Sequence, residues 1–312
     1  MPLDKLEKLR ELIRSYGSCL VAYSGGVDSV FLASVASEVL GTRSLAVIAD
    51  SPSLPRRELR EALEIAGRFQ IPVRVIQTKE FENPDYLANT DNRCYFCKQE
   101  LFTELEPLAR REGFAVIAYG ENVSDIGDYR PGGRAAQESG VRAPLKEVGL
   151  TKSEIRQLSA ERGLPTADKP QMACLSSRIP HGEAVSPEKL RMIEEAEAVL
   201  RDLGFYDVRV RHHEWTSAER ESSTRVDGLD GAVRPDARVP GSGWPVRLAR
   251  IELGPGEMPR LFQEAAYSKV VEALKRLGYA HVTLDLQGYR RNGGNAQDAS
   301  GKARPNQQHP VK

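Results

Sequence analysis

The chain has 312 residues, 44 of them Lys or Arg and 44 Asp or Glu, with 40% hydrophobic and 28% charged content. That composition suits a soluble globular chain of one large or two ordinary domains. Its charge balance excludes a global basic field for collecting nucleic acid and leaves only a local basic patch open. No apolar run reaches membrane length, and Met1-Pro2-Leu3-Asp4-Lys5 opens an amphipathic helix in place of a signal peptide. A cytoplasmic address without a membrane partner is expected.

Leu3 to Tyr16 sets Leu6, Leu9, Leu12 and Ile13 on one helical face. Cys19-Leu20-Val21-Ala22-Tyr23 is a buried strand, Ser24-Gly25-Gly26-Val27-Asp28-Ser29 a turn, and Val30 to Leu40 a helix with Gly41 as its C-cap. Further strands are expected at Leu45–Ala49, Val73–Ile76 and Ala115–Gly120, with a helix ending at Phe69 between the first two of these. Strands alternating with helices predict an α/β fold with a doubly wound parallel sheet, whose ligands collect at the carboxyl ends of the strands. Gly26, Asp50 and Gly120 fall there. Thr151-Lys152-Ser153-Glu154 is a capping box that starts a helix, and any ligand role of Lys152 is additional.

Gly163 to Pro180 carries three prolines and little periodicity, as a functional loop at a domain junction would. From Pro187 the order is helix to Leu203, strand Val208-Arg209-Val210, strand Leu248–Leu253, helix Leu261–Leu277 and strand His281–Leu286. That order predicts a second, smaller α+β domain. The expected divisions are 1–168, a junction 169–186 and 187–289. Glu214 to Arg247, which holds Trp215 and Trp244, is expected to be a poorly ordered insertion, and 290–312 a disordered tail.

A glycine turn between a strand and a helix presents backbone N–H groups and the helix dipole to an anion. Ser24 and Ser29 add hydroxyl donors, while Asp28 would repel a bare phosphate, which points to a bridging Mg²⁺ or a tight structural turn. The Walker pattern is absent, so transfer of a γ-phosphate is the weaker reading. Four cysteines do not make a disulfide framework and are read as ligands or nucleophiles. Cys94 and Cys97 form a C-x-x-C, Cys174 stands in the junction between Lys169 and Arg178, and Cys19 is a core residue. Three thiolates suit a [4Fe–4S] cluster with one open iron; structural zinc and independent thiols are the alternatives. Arg209 and Arg211 alternate on one strand and share a face.

The S-G-G-x-D-S loop resembles that of the N-type ATP pyrophosphatases (PP-loop enzymes), which cleave ATP to AMP and pyrophosphate. Asp50-Ser51-Pro52-Ser53-Leu54-Pro55, Arg93-Cys94-Tyr95-Phe96-Cys97-Lys98, Asp128-Tyr129-Arg130-Pro131-Gly132, Ala173-Cys174-Leu175-Ser176-Ser177-Arg178 and Leu284-Asp285-Leu286-Gln287-Gly288-Tyr289 are similar to the LarE family of ATP-dependent sulfur transferases. The resemblance runs from about Leu6 to Arg290. It implies that ATP and Mg²⁺ activate the carboxylate of a pyridinium mononucleotide and that sulfur replaces AMP, within the synthesis of a nickel-pincer nucleotide cofactor. Ser24, Gly25, Gly26, Asp28, Ser29, Gly120, Asp125 and Lys152 would bind the nucleotide, and Arg209 and Arg211 the substrate phosphate. Cys174, Glu197 and Arg178 would be catalytic, with Cys174 either sacrificing its own sulfur or joining Cys94 and Cys97 on a cluster. The C-x-x-C distinguishes this chain from single-cysteine members. A homo-oligomer is implied, and nucleic acid is not. The competing readings are a PP-loop tRNA thiolase with a cluster, an NAD or GMP synthetase-like ligase, and a non-enzymatic nucleotide sensor.

Overall fold

The strand Cys19–Ala22 (β1) is apolar at every position because both of its faces are covered. In the computed structural model, which describes residues 2–125, 131–171, 173–215, 245–263 and 265–289, it is a central strand of a four-stranded sheet. Its neighbours are Ser44–Asp50 (β2) and Val116–Tyr119 (β4), and Val73–Gln77 (β3) lies beyond β2. All pairings are parallel, with Val21 opposite both Ala46 and Ala118. Period-two alternation sends Val21, Ala46 and Ile48 to one face, against Pro2–Ser15 (α1) and Val27–Leu40 (α2). Leu20, Ala22, Leu45 and Val47 go to the other, against Phe102, Leu105 and Ala109.

The order β3-β2-β1-β4 places the topological reversal between β1 and β4. The turn after β1 and Gly120 after β4 therefore flank one crevice. The remaining helices are Arg56–Arg68 (α3), Pro84–Leu87 (α4), Arg93–Glu112 (α5), Pro131–Glu138 (α6), Pro144–Glu147 (α7) and Lys152–Glu161 (α8). The capping box forms as expected: Glu154 N–H donates to Thr151 Oγ1, and Thr151 N–H donates to Glu154 Oε2 at 2.9 Å. Between Ile76 and Ala115 the periodicity suggests no element, yet α5 runs for 20 residues there and starts one residue before Cys94. Its first turn buries Arg93 and not an apolar residue, so the apolar stripe becomes legible only from Phe102 onward.

The second sheet is mixed, with order β5-β6-β7 from Val208–Trp215, Val246–Leu253 and His281–Leu284. β5 and β6 are antiparallel, and β6 and β7 parallel. Val210, Ala249, Ile251 and Leu253 pack on Ala196 and Leu200 of Pro187–Asp202 (α9). β5 and β6 extend further than expected, while β7 stops at Leu284, two residues short of the expected Leu286. Glu214, Trp215, Val246 and Arg247 are ladder residues rather than part of an insertion, and Trp215 stacks on His213. The helix expected over Leu261–Leu277 divides into Met258–Leu261 (α10) and Ala266–Arg276 (α11), because Ala265 takes φ +55°. Residues 216–244, the tail 290–312 and Asp128-Tyr129-Arg130 lie outside the described residues. A small apolar cluster of Tyr86, Leu175, Ile179, Val185, Leu190 and Ile193 joins α4, the junction and α9. Among the described residues no helix is long and apolar enough to cross a membrane.

Candidate functional site

Gly26 caps α2 and Gly25 precedes it at φ +74°, with Ala62 so close that a Cβ would lie 2.7 Å from it. Ser24 N–H donates to Ser29 Oγ at 3.1 Å, and Ser29 Oγ donates to the Gly26 carbonyl at 3.0 Å, so the serines brace the loop. A Cβ on Gly120 would fall 2.9 Å from the Ser29 nitrogen. Only glycine lets the end of β4 approach the first turn of α2 this closely.

Asp28 meets Lys152 Nζ at 2.5 Å and accepts from Asn122 Nδ2 at 3.3 Å. Asn122 Nδ2 also donates to Asp125 Oδ2 at 3.0 Å. Burial pushes the Asp28 carboxyl above its ordinary value, with Lys152 pulling the other way. Ser24, Gly26, Asp28, Ser29 and Gly120 line a cavity of about 260 Å³, while Asp125 and Lys152 approach it through Asp28 and Asn122. Two carboxylates at a glycine loop, linked by the Asn122 amide N–H, are hard donors that fit Mg²⁺.

The same cavity is lined by Cys97 and Cys174. Burial, then the neighbouring Cys174, raises the thiols of both Cys94 and Cys97, and Arg93 opposes the rise at Cys94. All three cysteines thus share one neighbourhood. Among the described residues, however, no group of three or more His, Cys, Asp and Glu side chains is disposed to hold a metal ion. As placed, the thiols do not fit the expected cluster, and no step is routed through one. Cys19 is a core thiol, as expected, pushed up to about 12 by burial.

Three residues expected at the site are engaged by protein partners. Arg178 is 3% exposed and Glu197 1% exposed. Arg178 Nε donates to Glu197 Oε1 at 2.8 Å, and its Nη1 donates to the carbonyls of Ala173 at 2.6 Å and Cys174 at 3.0 Å. Glu197 also accepts from Arg201 at 3.0 Å and from Val210 N–H at 3.2 Å. Burial works against its charged form, yet these partners hold its carboxyl below the ordinary value. Arg211, 8% exposed, pairs with Glu252 at 2.8 Å and donates to the Ser177 carbonyl at 2.9 Å. With their donors and acceptors so engaged, Glu197, Arg178 and Arg211 position the 173–178 loop. Arg209, although on the same strand face as Arg211, lines a second cavity of about 410 Å³ with Arg57, Lys169 and Tyr289. Its guanidinium lies 4.7 Å over the Tyr289 ring, and its buried Nε has no partner among the described residues.

Several contributors were not singled out from sequence. Asn89 holds an αL conformation at φ +53° and donates to the carbonyls of Pro180 at 2.7 Å and Glu183 at 2.9 Å. Arg93 donates to the Ser176 carbonyl at 2.9 Å, and Tyr86 Oη meets Ser176 Oγ at 2.9 Å. Leu175 N–H donates to the Ser53 carbonyl at 2.9 Å, tying the Cys174 loop to the nucleotide sheet. Asn122 stands two residues after Gly120, where a switch-point reading would look; Glu80, discussed below, left no pattern in the sequence.

No family model matches the chain. An uncharacterized protein of Synechocystis sp. is 41% identical over 92% of this chain and 95% of its own length. The pyridinium-3,5-bisthiocarboxylic acid mononucleotide synthase (LarE) of Lactiplantibacillus plantarum is 30% identical over 86% of each chain. A component of the glutamine-hydrolyzing GMP synthase of Halorubrum lacusprofundi is 26% identical over 86% of this chain and 88% of its own.

Proposed function

Since this chain belongs to the PP-loop ATP pyrophosphatase family, as a homologue of LarE, we propose that it is an ATP-dependent sulfur transferase acting on a pyridinium carboxylate mononucleotide. It cleaves ATP to AMP and pyrophosphate, adenylates the carboxylate, and replaces AMP with sulfur to give a thiocarboxylate for a nickel-pincer cofactor. The observation that carries this reading is one cavity lined by both the PP-loop and Cys174. A synthetase that forms amides accounts for the loop but leaves Cys174 without a task.

N–H groups of the Ser24–Ser29 turn receive the departing pyrophosphate. Asp28 and Asp125, linked by the Asn122 amide, would hold Mg²⁺, which would neutralise charge on the phosphates when bound. Lys152, paired with Asp28, would add its positive charge beside those phosphates. Arg209, which lines the second cavity with its Nε unpartnered and its Nη2 on Tyr289 Oη, suits the phosphate of the substrate. Arg178 and Arg211 fix the loop that presents Cys174 as sulfur donor.

Incubation with ATP, Mg²⁺ and pyridinium-3,5-dicarboxylic acid mononucleotide should yield AMP and pyrophosphate. Asp28→Ala should abolish that release and retain the fold by circular dichroism. ADP and orthophosphate as products would defeat the reading. After a single turnover, mass spectrometry should show Cys174 lighter by one H₂S. A second reading, with Cys94, Cys97 and Cys174 on a [4Fe–4S] cluster, is favoured by the mutual influence of the three thiols. It requires them to be drawn together, and iron and sulfide analysis after anaerobic purification tests it.

A further inference from the structure

Glu80 follows β3 in a single turn, Glu80–Glu82, and is 2% exposed. It lines the nucleotide cavity together with Cys97 and Cys174. Its Oε1 lies 3.5 Å from Ser53 Oγ, which itself meets Ser51 Oγ at 2.8 Å. Its Oε2 is buried and has no hydrogen-bond partner, and the carboxylate makes no ion pair among the described residues. A buried oxygen left without a donor is costly, so such a group persists where a reacting partner uses it. Ser53 connects it to the sulfur donor, because the Ser53 carbonyl accepts from Leu175 N–H, next to Cys174. Burial, then Cys174 and then Glu80, raises the Cys97 thiol, which sets the carboxylate close to Cys97 as well as to the cavity it shares with Cys174. The cavity's other acid, Asp28, is engaged by Lys152, whereas Lys98 is a cation that cannot serve as a base.

We propose that Glu80 is the base that takes the thiol proton during sulfur transfer. The proposal rests on reading the chain as a carboxylate-adenylating sulfur transferase. The Cys174 Sγ–H bond breaks and its proton goes to Glu80 Oε2. The sulfur lone pair forms the S–C bond to the acyl carbon, and the C–O bond to AMP breaks with its electron pair leaving on the AMP phosphate oxygen. Nothing is oxidised or reduced.

The test uses full-length wild type and Glu80→Gln with ATP, Mg²⁺ and pyridinium-3,5-dicarboxylic acid mononucleotide, comparing pyrophosphate release with acylation of Cys174 by mass spectrometry. The ratio of acylation to pyrophosphate release should fall by about 10²- to 10⁴-fold in Glu80→Gln, and the acid limb of the acylation pH profile should disappear. Alkylation of Cys174 by iodoacetamide should not slow, because it draws on thiolate already formed and the variant removes a like charge. An unchanged ratio overturns the proposal, as does a raised KM for ATP with normal acylation, which would make Glu80 a nucleotide ligand. Should Glu80→Gln lower the unfolding midpoint, Glu80→Asp keeps a carboxylate and must recover at least tenfold of the lost ratio; failure to do so also overturns it. Absence of pyrophosphate from the wild type would defeat the sulfur-transferase reading itself, a result separate from an intact Glu80→Gln ratio.

Discussion

Glu197 shows how a single buried residue is committed by its partners. It is enclosed by Arg178, Arg201 and the Val210 N–H, and its ion pair with Arg178 reaches the loop that carries Cys174. A buried pair contributes little net stability against an apolar substitute, but breaking it leaves an uncompensated charge. Arg178→Ala should therefore lower the unfolding free energy by about 3–5 kcal/mol in urea titration. A loss below about 1 kcal/mol would mean that solvent reaches Glu197. The residue types Arg and Glu were legible as site candidates, but their role as braces depended on who faced them.

Glycines at element ends decide how closely elements approach. Gly120 ends β4 against backbone atoms of Asp28 and Ser29, which cannot yield as a flexible side chain would. Gly120→Ala should displace the first turn of α2 and slow pyrophosphate release by about 10²-fold, with folding cooperativity retained. Gly67, in α3 with nothing within 4 Å of its added Cβ, serves as the contrast. Gly67→Ala should raise stability by about 0.4–1 kcal/mol, measured by urea titration, with release unaffected. Equal effects at both positions would refute the close-approach account. Helix α5 illustrates the limit of periodicity at this scale. In its first turn Arg93, Cys94 and Cys97 answer to tertiary neighbours instead of to an apolar stripe.

Across the whole molecule, two sheets built around separate apolar cores meet at the Cys174 loop. Ser53 and Arg93 hold the loop from the nucleotide side, and Arg211 and Glu197, through Arg178, from the other. Charged groups in the second sheet make this arrangement acid-sensitive. Burial lowers His212, which stays neutral when folded. Burial opposes ionisation of Glu214, yet Lys189, Arg247 and His212 draw its carboxyl down to about 2. The unfolded histidine takes up its proton near about pH 6.5, so its contribution to stability falls as pH drops below that value. Glu214 and Glu197, depressed in the fold, contribute above their unfolded values of about 4.3 and lose that contribution as pH falls toward about 2 for Glu214. Asp28, raised by burial, acts in the opposite direction. The thermal midpoint should fall progressively from about pH 7 to about pH 3. A flat profile over that range would refute this balance.

The glycine turn after an apolar strand, the alternating strands and helices and the capping box at Thr151 were determined by local chemistry, because backbone conformation and one-face burial leave their marks within a few residues. So were the candidates Asp28, Lys152, Arg209 and the cysteines, whose residue types suit phosphate and sulfur. Only the tertiary structure decided that Arg209 leans on Tyr289 with its Nε unpartnered while Arg211, two residues on, is engaged by Glu252 and Ser177. It alone placed Cys174, 148 positions after Gly26 in sequence, in the cavity of the PP-loop, and left Glu80 buried there with an unused oxygen. Burial and pairing depend on which groups meet across long stretches of chain, and a linear pattern carries no record of that.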